Sequence, residues 1–235
     1  MTNEISIKNV YKSFPGQGDK WVVCDLNLEI ALGEFFCFVG PSGCGKTTTL
    51  KLIVGLEPVT KGTIEKPEDI TMIFQSGALF PWLSVWDNIA FGLKMENQSK
   101  TKIKELTGKY LEMVRLTSFK DKYPRELSGG QRQRVGIARA LAVSPRVLLL
   151  DEPFSALDTF TTQELHEDLL KIWRETKITV VMVSHLLEEA VILADRVGVM
   201  KEGKLKGIVD VDLRRPRKME DDLFSYVNKI KGLIV

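Results

Sequence analysis

The chain reads as an α/β protein built on an open, mostly parallel sheet, and three observations predict it. Short, continuously apolar runs at Phe35–Val39, Val147–Leu150 and Ile178–Val183 have the length and composition of strands buried on both faces. Helical stretches follow each of them, so strand and helix alternate along the chain. The alternation stops between about residues 84 and 143, where the pattern is mostly helical, which marks a helical subdomain inserted into the core.

Each element has its own signal. Ile5–Val10 and Trp21–Ile30 alternate apolar positions and are separated by a turn at Pro15-Gly16-Gln17-Gly18, so the first 39 residues are mainly strand. Phe35–Val39 runs into the glycine-rich Gly40–Gly45 and then a helix, Lys46–Gly55, closed by glycine. Ile70–Phe74 is a strand ending at Gln75. Beyond the helical insert, Val147–Leu150 resumes the sheet, and a helix over about Thr159–Trp173 places Leu165, Leu169, Ile172 and Trp173 at i, i+4, i+7 and i+8. The strand Ile178–Val183, the helix Leu187–Ala194 and short strands near Val197–Met200 and Leu205–Val209 complete a single domain over 1–235. Its tail, from about 210 to 235, ends in a short helix.

Composition narrows the function classes. Apolar residues make up 44% and charged residues 27%, as in soluble globular proteins. The 33 basic and 31 acidic residues leave a net charge of +2, which argues against a dedicated nucleic-acid binder. No apolar run approaches the ~18–20 residues that cross a bilayer. The N-terminus lacks the basic start and apolar stretch of a signal peptide. Cys24, Cys37 and Cys44 have neither metal-ligand nor disulfide spacing, so a reduced, cytosolic protein is expected.

Gly40-Pro41-Ser42-Gly43-Cys44-Gly45-Lys46-Thr47 fits G-x-x-x-x-G-K-[ST] at every fixed position. Glycines let consecutive backbone N–H groups curl around phosphate oxygens, and the helix that starts near Lys46 points its positive end at the same anion. Lys46 would neutralise the β- and γ-phosphates of a nucleotide, and the Thr47 hydroxyl is placed to ligate Mg²⁺. A phosphate covering the loop would shield the Cys44 thiol from alkylation.

Val147–Leu150 delivers Asp151 and Glu152 to the C-terminal edge of its strand, where ligands bind in open α/β sheets. Asp151 would hold Mg²⁺, and Glu152 would polarise an attacking water as general base. Gln75 and His185 end two other strands; by itself the glutamine reads as a surface residue, and the histidine either meets a γ-phosphate or is an ordinary strand-end imidazole. His166 reads as a surface helix residue. In Leu127-Ser128-Gly129-Gly130-Gln131, the serine can cap the following helix while the glycines leave bare N–H groups at its positive end. A capped helix accounts for Ser128 without accounting for the paired glycines, and a single nucleotide cannot sit at both anion sites of one compact monomer.

These motifs, in this order, resemble the nucleotide-binding subunits of ATP-binding-cassette (ABC) transporters, closest to the nitrate, sulfonate and taurine importer ATPases, over nearly the whole chain. The resemblance implies a P-loop NTPase (RecA-like) fold: a mostly parallel core, an N-terminal antiparallel β subdomain and the inserted helical subdomain. It implies ATP and Mg²⁺ as cofactors. Phe14 matches the aromatic that stacks on adenine, with Tyr11 as its rival, and Gly40–Thr48 holds the phosphates. Thr47, Gln75 and Asp151 serve the metal, Glu152 is the base and His185 the switch histidine, although Leu186 stands where relatives often carry an acid. Ser128, Gly129, Gly130 and Gln131 act in trans on the ATP of a second copy, and Ser155 and Asp158 form the dimer-contact loop. A membrane permease, itself fed by a substrate-binding protein, would dock near Phe80, Pro81, Trp82 and Leu83, with Trp86 either docking surface or core. This places the chain on the cytoplasmic face of the membrane.

The tail Val209–Arg217 resembles that of small-anion importers, and the regulatory domain usual in carbohydrate importers is not seen in the sequence. The basic cluster Arg214–Lys218 reads as a solvated tail or a lipid contact. A soluble cassette ATPase, such as an iron–sulfur cluster assembly ATPase, is the alternative.

Overall fold

The computed structural model describes residues 3–16, 20–75, 78–155, 157–217 and 221–234; Gln17 and Gly18 of the expected turn, Ala156 of the dimer-contact loop and Lys218 of the basic cluster lie outside them. In chain order the elements are β1 (Asn3–Lys12), β2 (Val23–Ala31), β3 (Phe35–Val39), α1 (Lys46–Val54), β4 (Lys61–Glu65), β5 (Ile70–Ile73), α2 (Val85–Met95), α3 (Lys100–Met113), α4 (Gly129–Ala142), β6 (Val147–Asp151), α5 (Thr159–Thr176), β7 (Thr179–Val183), α6 (Leu187–Leu193), β8 (Arg196–Lys201), β9 (Lys204–Asp210) and α7 (Asp221–Ile234).

They fall into two compact units, one of residues 1–70 with 178–235 and one of residues 71–177. The first unit holds a three-stranded antiparallel sheet in the order β2-β1-β4 and the strands β7-β3-β8-β9 of the core sheet. β3 pairs in parallel with β7 and β8, and β9 turns back antiparallel to β8. All five residues of β3 and all five of β7 are buried, as continuous apolar runs require of central strands. β4 is a strand that its own sequence does not announce. Lys61-Gly-Thr-Ile-Glu65 has no apolar alternation, and it is recruited by β1 in the register Ser6↔Glu65, Ile7↔Ile64.

The second unit holds β5 and β6 as neighbours, the helices α2, α3 and α4 of the inserted subdomain, and α5. α2 packs on both α3 and α4. Their N-termini are capped in the same way: Ser84 accepts from Asp87 N, Ser99 from Lys102 N and Ser128 from Gln131 N. Ile89, Ala90, Leu93, Leu111, Val135 and Leu141 of these helices are buried.

The C-terminal segment departs from the expected solvated tail. Arg217 is 9% exposed, and its guanidinium donates to the carbonyls of Leu213, Val191, Ala194 and Val211. Arg215 donates to Asp195 Oδ1 at 2.6 Å and to Leu193 O. Burial, with Arg215 alongside, pushes the Arg217 guanidinium down to about 10, which keeps it charged at neutral pH. Of the cluster's basic side chains, Arg214 alone is exposed among the described residues.

Candidate nucleotide site

In the first unit, the phosphate loop leaves β3 and enters α1 through three glycines with positive φ: Gly40 at 149°, Gly43 at 76° and Gly45 at 103°. Two of them are also fixed by close approach. A Cβ on Gly40 would lie 2.0 Å from Met200 O and one on Gly45 would lie 2.5 Å from Val22 O, so no other residue fits at either place. α1 begins without a side-chain cap, as suits a helix start meant to face an anion. Pro41, Ser42 and Gly43 are exposed, Gly40, Thr47 and Thr48 half-buried, and Cys44, Gly45 and Lys46 buried.

Lys46 curls back over its own loop. Its ammonium donates to Gly40 O at 2.7 Å and Pro41 O at 3.0 Å, with Cys44 Sγ at 3.9 Å. These contacts hold the charge at the mouth of the curled backbone, where phosphate oxygens would replace the carbonyls as its partners. The thiol of Cys44 is 4% exposed, so burial already shields it and slow alkylation does not by itself report a covering phosphate.

Phe14, half-buried, follows β1, and the Lys12 ammonium sits 4.5 Å from its ring centroid. Its rival Tyr11 packs edge-on against Trp21 with ring centroids 5.3 Å apart. His185 is exposed, directly after Ser184, which caps the turn into α6: its hydroxyl accepts from Leu186 N and donates to Leu186 O.

In the second unit, Asp151 ends β6 at 8% exposure and Glu152 follows with φ at 45°, a left-handed setting unusual for a glutamate and of the kind found where a side chain must be aimed. Ser155 holds that turn, its hydroxyl donating to Glu152 O at 3.0 Å, and Gln75 Nε2 donates in turn to Ser155 Oγ at 2.9 Å. Gln75, from a distant part of the sequence, is thus hydrogen-bonded to the turn that carries Glu152.

Ser128 and Gln131 form a reciprocal capping box at the start of α4: Gln131 N donates to Ser128 Oγ at 3.2 Å and Ser128 N to Gln131 Oε1 at 2.9 Å. The paired glycines have a structural reason that the sequence does not display. A Cβ on Gly130 would meet Thr161 Cγ2 at 2.4 Å and one on Gly129 would meet Leu157 Cδ2 at 3.1 Å. Asp158 caps α5, accepting from Thr161 N at 3.0 Å and Thr161 Oγ1 at 2.7 Å, and those bonds hold its carboxyl below the usual range. His166, expected on the surface, is buried edge-on against Phe154 with ring centroids 4.7 Å apart.

The loop before α2 is built on Asn88, a fully buried residue that the sequence reading passes over. Its amide accepts from Phe80 N at 2.9 Å and donates to Phe80 O, Leu83 O and Ser84 O. Phe80 packs on Phe91, and the Arg139 guanidinium lies over its ring. Trp82 is left 69% exposed, Pro81 is exposed and Leu83 and Trp86 are half-buried.

Mg²⁺ takes hard oxygen ligands, and each unit carries such groups among the expected residues: the Thr47 hydroxyl in the first, the Asp151 carboxylate and the Gln75 amide oxygen in the second. Among the described residues no group of three or more His, Cys, Asp or Glu could hold a metal alone.

A loop of this shape, leading from a buried parallel strand into a helix with its lysine turned back, defines a P-loop nucleoside triphosphatase. The comparisons with known proteins take this further: the family model described as ABC transporter matches residues 23–155, and the chain belongs to that family. It is an ATP-binding-cassette ATPase. An aliphatic sulfonates import ATP-binding protein of Bacillus cereus is 43% identical over 96% of this chain and 93% of its own length. A nitrate import ATP-binding protein of Synechocystis is 39% identical over 98% and 94%. A dimeric ATP-binding cassette solved in a post-hydrolysis state with ADP and phosphate superposes with a TM-score of 0.78 at 31% identity, covering 89% of this chain and all of that one. No helix among the described residues is long and apolar enough to cross a membrane.

Proposed function

We propose that the chain is the ATPase subunit of an importer, working as a head-to-tail homodimer on the cytoplasmic face of a membrane and driving a permease. The observation that carries this is that one chain holds two structures of a kind that can bind phosphate: the glycine-cradled loop with Lys46, and the glycine-started, Ser128-capped α4. A second copy brings α4 of one protomer to the ATP on the loop of the other, with Ser128, Gly129, Gly130 and Gln131 on the γ-phosphate and Ser155 and Asp158 at the contact. The dimeric cassette that this chain resembles supports a dimer.

In this reading Phe14 stacks on adenine, Gly40–Thr48 binds the phosphates, and Thr47, Asp151 and Gln75 hold Mg²⁺. Bound Mg²⁺ supplies charge neutralisation on the phosphate oxygens. Glu152 takes the proton of the attacking water, and His185 meets the γ-phosphate. Phe80, Pro81, Trp82 and Leu83 form the permease docking surface, and the similarity to nitrate and sulfonate import proteins points to a small anion as cargo.

Glu152→Gln removes the base and keeps every binding contact, so light scattering should show an ATP-stabilised dimer that wild type does not accumulate. A Glu152→Gln protein that stays monomeric at saturating ATP refutes the shared site. Lys46→Ala should lose ATP binding by more than about tenfold, the loss of a charge-assisted contact of a few kcal/mol. Unchanged hydrolysis in that variant would remove the phosphate-loop assignment.

A further inference from the structure

Lys12, the last residue of β1, has a side chain only 6% exposed. An enclosed ammonium needs its charge compensated and its protons bonded. Glu57 Oε2 lies 3.0 Å away, Pro58 O accepts from it at 3.0 Å, and the ring of Phe14 takes its remaining side. Lys12 and Phe14 are two residues apart, so extended backbone puts both side chains on one side of the chain.

The partners of Lys12 come from the far end of the helix that carries the phosphate loop. After α1 closes at Gly55, Leu56 N and Glu57 N both reach Lys51 O, at 2.9 and 3.2 Å. The segment is then stitched to the end of β1, with Thr60 N donating to Tyr11 O at 2.9 Å and Ser13 N to Thr60 Oγ1 at 3.1 Å. The aromatic ring, its lysine and the helix leading from the phosphate loop thus belong to one bonded assembly within the first unit.

We infer that Lys12 is a positioning residue for the nucleobase: its ammonium occupies one face of the Phe14 ring and holds the ring in place, so the opposite face receives the purine. This rests on the reading of Phe14 as the adenine contact. A phenyl group on a loop end otherwise turns about two side-chain torsions, and ordering it on binding costs affinity. Lys12, anchored by Glu57 and Pro58, has already ordered it. The cation also draws on the electron-rich face of the ring, which favours stacking of an electron-rich base on the other side.

The test compares ATP with inorganic tripolyphosphate, which has the phosphates and no base, by calorimetry on the full chain. Phe14→Ala and Lys12→Met should each weaken ATP by about tenfold, the scale of a desolvated cation–π contact, and leave tripolyphosphate affinity within about twofold. Lys12→Arg, which keeps a cation over the ring, should recover most of the loss. Should Lys12→Met not fold, Lys12→Gln carries the same comparison, because it can still hydrogen-bond Glu57 and Pro58 without a charge. If Phe14→Ala weakens ATP and the neutral Lys12 variants do not, the role of Lys12 is overturned while the adenine reading stands. If Phe14→Ala has no effect, the adenine reading itself fails. Equal losses for ATP and tripolyphosphate in the Lys12 variants would mean that the lysine supports the loop and not the base, and would overturn the inference.

Discussion

Gly130 shows how one residue answers two demands. As part of the proposed trans contact it must present a bare N–H, and as the neighbour of α5 it must lack a Cβ, because Thr161 Cγ2 would lie 2.4 Å away. Thr161 cannot turn aside cheaply, since its hydroxyl is bonded to Asp158 at 2.7 Å. Gly130→Ala gains up to about 1 kcal/mol of helix propensity and loses about 1–3 kcal/mol to overpacking, so the clash wins. Without nucleotide, the melting temperature should fall by about 2–4 °C, the shift expected for 1 kcal/mol in a chain of this size. Adding Thr161→Ser removes Cγ2 and keeps the hydroxyl, and should restore the loss. No recovery in the double variant would place the cost elsewhere. The phosphate loop was legible because its demands fall on contiguous residues of fixed type. The packing reason for Gly130 was not, because it depends on a side chain from another helix. His166 was misread for the same reason: the ring of Phe154 that covers it belongs to the loop before α5.

At the scale of elements, the strands of the core could be read directly, since burial on both faces leaves a run such as Phe35–Val39 with one reading. β4 could not, because its partner β1 and not its own pattern makes it a strand. The loop before α2 was only half legible. Its apolar residues Phe80–Leu83 stood out as a surface, whereas the residue that shapes them is polar, fully buried and inside the helix. Asn88→Ala strands Phe80 N and removes a donor from Phe80 O, Leu83 O and Ser84 O, of which the first and last keep a backbone N–H. Loss of a buried network of this kind costs about 2 kcal/mol, or about 4–8 °C in melting temperature. Hydrogen exchange at residues 80–84 should rise with it. Trp82→Ala is the contrasting change: with the side chain 69% exposed, it should leave the melting temperature within about 2 °C and reduce recruitment to permease-containing membranes. An Asn88→Ala protein of unaltered stability would show that the loop is held by Phe80 packing alone.

For the molecule as a whole, the question is whether the C-terminal tail is an appendage or part of the fold. A cluster of arginines after the last strand reads as solvated because sequence does not show carbonyls. The last carbonyls of α6 have no partners within their own helix, and the tail supplies donors: Arg217 to Val191 O and Ala194 O, and Arg215 to Leu193 O. The same guanidinium of Arg217 bonds Val211 O and Leu213 O, so it ties the tail to itself as well as to α6. Beyond this clamp, α7 buries Leu223, Val227 and Ile230, and Leu233 packs against Gly207 of β9. Arg217→Met fills much of the space with an apolar chain but takes the arginine's hydrogen bonds from four carbonyls, three of them in buried bonds, at a cost of about 3 kcal/mol. That corresponds to a drop of about 6–12 °C in melting temperature. Arg217→Lys should recover only part of it, because an ammonium has three donors at one point where the guanidinium spans four acceptors. Protease cleavage between Asp210 and Arg217 should accelerate in Arg217→Met and stay slow in wild type. If instead the methionine variant melts with wild type and resists cleavage, the apolar face of α7 holds the tail unaided and the arginine clamp contributes nothing to the fold.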